Sequence, residues 1–73
     1  MTHEQIDLVA ELTEALCSHM VVDYAAEDYR GSPMVERVAQ VAALLQANGR
    51  PVPLPIADVL RRAADAGRPV GVA

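Results

Sequence analysis

Apolar side chains recur at three- and four-residue steps along the first third of the chain. Leu8, Val9, Leu12, Ala15, Leu16 and Met20, with His19 among them, share one face, and Glu4, Asp7, Glu11, Glu14 and Ser18 fall largely opposite. Thr2 stands three residues before Gln5, the spacing of a capping box, so a helix is expected to start at about residue 3. The periodicity blurs at Val21-Val22-Asp23-Tyr24, where adjacent β-branched residues lower helix propensity, and resumes at Ala25-Ala26-Glu27. The expectation is one long helix over residues 3–29, either bent at the valines or continuous.

Gly31 supplies a stop, and Ser32-Pro33 an N-cap followed by proline at the first helical position, where a missing N–H costs nothing. A second helix over residues 33–47 follows, apolar at Met34, Val35, Val38, Val41, Ala42, Leu44 and Leu45, and ended by Asn48-Gly49. Arg50-Pro51-Val52-Pro53-Leu54-Pro55 has proline at every other position, which predicts an extended connector. Ile56, Val59, Leu60 and Ala63 then mark a short third helix over residues 56–66, with Asp58, Arg61, Arg62 and Asp65 on its outer side and Gly67 as its stop. Residues 68–73 read as a flexible or extended tail. The repeated Gly-Arg-Pro-Val after the second and third helices is an exit signal used twice, since two copies do not make a solenoid.

These elements predict an all-α, single-domain chain over residues 1–73, a small three-helix bundle. Composition adds that its core is thin. Of the 52% hydrophobic residues thirteen are alanine, there is no Phe or Trp, and Tyr24 and Tyr29 are the only aromatics. In so short a chain, apolar burial barely exceeds the entropy of ordering. A single cysteine excludes an internal disulfide and leaves a metal site poor in thiolates, so association is the remaining source of stability. A homodimer, or a complex with a partner protein, is therefore expected. Its contact face is predicted to be Leu8, Val9, Leu12, Leu16 and Met20 of the first helix, with Val35, Val38, Val41 and Leu45 packing from the second.

Charge sharpens this picture. The net charge is −4, but residues 1–32 hold seven acids against Arg30, and residues 33–73 hold three acids against five Arg. An acidic chain without lysine is a poor general ligand for phosphate backbones. Asp7, Glu11 and Glu14 form an acidic patch and Arg61 and Arg62 a basic one, which are expected to orient a complex, across subunits or with a partner. An acidic helical face can also compete for basic surfaces that otherwise hold nucleic acid, which makes an inhibitor of regulatory or phage type one form of the expectation. The lone thiol and the absence of a basic n-region at Met1-Thr2-His3-Glu4 fit a cytoplasmic protein, and no apolar run nears the roughly 20 residues that span a bilayer.

Candidate chemistry is sparse. His19, Asp23 and Glu27 lie at four-residue steps and could line a cation on an unbroken helix, but the second helix offers only Glu36 to complete the set. The simpler reading sets His19 at the core's edge beside Asp23, with no metal and no cofactor. Cys17 and His19, two residues apart, point to different faces, so Cys17 reads as a small buried hydrophobe. Ser18 and Ser32 belong to no triad, and the glycines form no phosphate loop. No enzyme is expected.

Residues 41–64, chiefly Ala43-Leu44-Leu45-Gln46-Ala47-Asn48-Gly49-Arg50-Pro51-Val52 and Ile56-Ala57-Asp58-Val59-Leu60-Arg61-Arg62-Ala63, resemble the opening helices of winged-helix regulators. That resemblance covers about a third of the chain and implies a small transcriptional regulator. The family next needs a recognition helix, whereas this sequence passes to Ala66-Gly67-Arg68-Pro69, so any helix-turn-helix is degenerate. The leading expectation is thus a non-catalytic protein-interaction module, with the regulator as the alternative and a metal- or redox-responsive helical protein as a minor one.

Overall fold

The computed structural model describes residues 2–67, which form four helices and no strand. The expected tail at residues 68–73 lies outside the described residues. Helix α1 spans His3–Asp23, α2 Ala26–Tyr29, α3 Pro33–Ala47 and α4 Leu54–Ala66. The chain is an all-α small domain, as its periodicity predicts.

Local chemistry accounts for the helix ends. Thr2 Oγ1 accepts the Gln5 N–H at 3.1 Å while Gln5 Oε1 accepts the Thr2 N–H at 2.9 Å, the reciprocal capping box that starts α1. Ser32 Oγ accepts the Val35 N–H and Pro33 opens α3. At the other end of α3, Gly49 takes a left-handed φ of 69°. The Arg50 N–H then donates to the Leu45 carbonyl at 2.8 Å and the Gly49 N–H to that of Gln46 at 3.0 Å, the double closure of a Schellman motif.

Two boundaries differ from the periodic reading. The long first helix does not reach residue 29. It breaks at Tyr24 and Ala25, both extended, and resumes as the single turn of α2, where Asp28 accepts the Ala25 N–H at 2.8 Å. The aromatic ring explains the break. Tyr29 is buried, donates its hydroxyl to the Met20 carbonyl at 3.2 Å and meets Tyr24 edge-on with 5.3 Å between ring centroids. On an unbroken helix its Cα would lie about 13 Å beyond Met20 along the axis, out over solvent. In a chain with two aromatics, burying one outweighs a few residues of helix that the valines already weaken. The second difference is that α4 begins two residues early, at Leu54, because Pro55 sits in its first turn, where proline removes no helical hydrogen bond.

One core cluster joins all four helices. Ile6, Cys17 and Met20 of α1, Tyr29 of α2, Val38, Ala42 and Leu45 of α3, and Ile56, Val59 and Ala66 of α4 are buried, and among the described residues no polar or charged one is buried with them. Helix α4 is the keystone, packing against α1, α2 and α3. Arg30 Nε donates to the Ala66 carbonyl at 2.6 Å, tying the α2–α3 turn to the last turn of α4. Arg50 pairs with Asp7 and reaches His3 Nδ1 at 2.8 Å, which fastens the α3–α4 connector to the start of α1. Among the described residues, no helix is long and apolar enough to cross a membrane.

Candidate functional site

Helix α1 is apolar on two sides, and only one faces the core. Ile6, Cys17 and Met20 point inward, with Ala10, Val21 and Tyr24 packed beside them. Leu8, Leu12 and Leu16, one turn apart, lie on another side of the same helix and remain 56%, 64% and 36% exposed. The five residues expected to form one contact face therefore divide. Leu8, Leu12 and Leu16 are outward, Val9 is half-buried, and Met20, at 2% exposure, belongs to the chain's own core and is unavailable to a partner. Ala15 and His19 are exposed beside the leucines, and Val22 extends the apolar band toward the end of α1.

Acids border this band. Glu4 stands four residues before Leu8 and Glu11 three after it, so both adjoin Leu8 on the helix surface. Both are exposed, Glu14 is half-buried, and none of the three is ion-paired among the described residues, whereas Asp7 is held by Arg50. The basic patch is already engaged. Arg61 Nη2 and Arg62 Nε both donate to Asp58 Oδ1, at 2.6 and 3.1 Å, and the hydrogen bond from Arg61, with that from Arg62, holds the Asp58 carboxyl below its ordinary range. The patches at Asp7, Glu11, Glu14 and at Arg61, Arg62 do not pair with each other within the chain.

A cleft of about 560 Å³ opens between α1 and the first turns of α4, lined by Ser18, Val21, Leu54, Pro55, Ala57, Asp58 and Arg61. Leu54 is 83% exposed at its edge. Leu54, expected in an extended connector, instead opens α4 and lies beside α1. Leu54 sits between two prolines, and only the tolerance of the first helical turn for Pro55 turns that segment into helix.

The metal reading required an unbroken helix through His19, Asp23 and Glu27, and the break at Tyr24 and Ala25 separates Glu27 from the other two. His19 is exposed rather than at the edge of the core. Among the described residues, no three His, Cys, Asp or Glu side chains gather where they could hold a metal ion. Cys17 is fully buried, and burial pushes its thiol up from an ordinary 9.0 to about 11. At neutral pH it thus holds about a hundredth of the thiolate of a free cysteine. Native protein is expected to resist iodoacetamide and to be alkylated rapidly once unfolded in urea. The folded state keeps the thiol proton to higher pH than the unfolded chain does, so stability is expected to fall as pH rises from about 9 toward 11. Cys17→Ala should flatten that part of the decline, leaving the part due to the Tyr29 hydroxyl, whose ionisation burial also delays. Fast native alkylation, read by mass spectrometry, would place Cys17 at the surface.

No family model, curated protein or solved structure matches this chain.

Proposed function

We propose that this chain is a non-catalytic protein-interaction module, an adaptor, inhibitor or accessory subunit that acts by laying the outer face of α1 on another protein surface. The division of α1 carries this reading: its inner side completes the core, while Leu8, Leu12 and Leu16 stay exposed in a continuous row. Scattered surface leucines need no explanation, but a contiguous apolar patch rimmed by charge marks an interaction site. Covering a leucine fully is worth about 1.5–3 kcal/mol, so three in a row supply a useful binding increment to a partner that fits them. A lone buried thiol suits a reducing compartment, and the cytoplasm is the location we assign.

Photo-crosslinking tests the reading. A photoreactive residue in place of Leu12 is expected to give a discrete adduct in extracts of the host cell, and the same residue in place of exposed Gln40 on α3 is expected to give none. The adduct mass separates a second copy of the 7.8 kDa chain from a different protein. Adducts from position 40 but not from position 12 would move the interface off α1.

A further inference from the structure

We infer that the occupant of the leucine face is a cationic amphipathic helix of another protein and not a second copy of this chain; this rests on reading the outer face of α1 as a docking surface. Charge separates the two occupants. Helix α1 carries Glu4, Asp7, Glu11, Glu14 and Asp23 and no Lys or Arg. A second α1 laid on the first brings the same acids and nothing to match them. In an antiparallel pair centred on Leu12, edges of the same kind face each other, so Glu11 comes beside its own counterpart and Glu4 lies opposite Ser18 and Val22, where no cation meets it. In a parallel pair, the acidic edge meets the opposite edge of the band, which carries Gln5 and no cation. Like charges brought together across an apolar seam weaken it, and unmatched ones add nothing.

Among the described residues four of the five arginines are already engaged, and the fifth, exposed Arg37 of α3, is a single charge against the five acids of α1. Arg61 and Arg62 share Asp58, Arg50 holds Asp7, and Arg30 donates to the Ala66 carbonyl. Association of the basic side of α4 with the acidic side of α1 in another copy would give up the Asp58 contacts to gain equivalent ones. A foreign helix with apolar residues at four-residue steps and Lys or Arg along one flank meets no such exchange. Its apolar row covers Leu8, Leu12 and Leu16, and its cations lie along Glu4 and Glu11 on one flank, which fixes direction as well as sign.

A displayed peptide library provides the test. Its members are helical, about 20 residues long, with leucine fixed at three- and four-residue steps and the remaining positions drawn equally from Lys, Glu, Gln and Ala. Selection is on the immobilised full chain, with counter-selection on Leu12→Glu. The expected winners carry Lys in excess of Glu along one flank, and a winning peptide should lose about tenfold or more in affinity for a Glu4→Lys, Glu11→Lys variant and weaken as salt is raised. All the substituted positions are exposed, and circular dichroism checks that each variant is folded. Winners that depend on Leu12 but are neutral or acidic would overturn the cationic inference and leave the docking face standing. Absence of any Leu12-dependent winner would overturn the docking face itself. A dimer in sedimentation that Leu12→Glu converts to monomer would make the occupant a second copy and end the inference.

Discussion

Replacing Ile56 with alanine is expected to remove about 2–5 kcal/mol of stability, a large share of the roughly 5–15 kcal/mol that holds a domain together. Ile56 is 0% exposed in the first turn of α4, the helix that packs on all three others, so the void it leaves opens among several elements at once. Collapse into that void is hard here. The buried neighbours are mostly valine, alanine and single Ile, Leu, Met and Tyr side chains, with no Phe or Trp to swing across. Urea denaturation followed by far-UV circular dichroism measures the effect as a lower midpoint at unchanged slope. Leu54→Ala, two residues earlier but 83% exposed, is expected to change stability by no more than about 0.5 kcal/mol. Equal losses for the two substitutions would mean that α4 presents a different face to the core.

Leu12→Glu is expected to do the opposite, leaving the fold intact and weakening partner binding severely. Leu12 is the most exposed of the three leucines and the middle of the row, so a carboxylate there costs the isolated chain little. Against a covering apolar surface it would have to be desolvated, and central apolar anchors of an interface carry about 2–4 kcal/mol, a loss of about 30- to 1000-fold in affinity. Leu16→Ala is expected to weaken binding less, because part of that side chain is already covered within the chain. Isothermal titration with the crosslinked partner measures both. Undiminished affinity in Leu12→Glu would transfer the interface to another surface, the cleft beside Leu54 foremost.

The two substitutions separate what was readable in the chain from what was not. Both residues sit at helix-periodic apolar positions, and periodicity alone treats them alike. The expected contact face joined Met20 to Leu8, Leu12 and Leu16, and the structure assigns Met20 to the core and the leucines to solvent. Ile6 fell outside the set that periodicity picked out, because it precedes the densest part of the pattern, yet it is buried with Cys17 and Met20. Likewise Leu54, framed by prolines, read as connector and is the exposed first residue of α4.

Sequence by itself settled the features that depend on neighbours a few residues apart: the all-α class, the caps at Thr2 and Ser32, and the stop at Asn48-Gly49. Each is closed by contacts within one helical turn or so, so the residues that make it are legible side by side. Tertiary structure alone decided which of the two apolar sides of α1 turns inward and where that helix stops. Those outcomes depend on α4 supplying Ile56 and Val59 as a surface, and on Tyr29 returning to the Met20 carbonyl, contacts between residues distant along the chain or across a break. Helical periodicity marks both sides of α1 equally, and only packing against another element tells them apart.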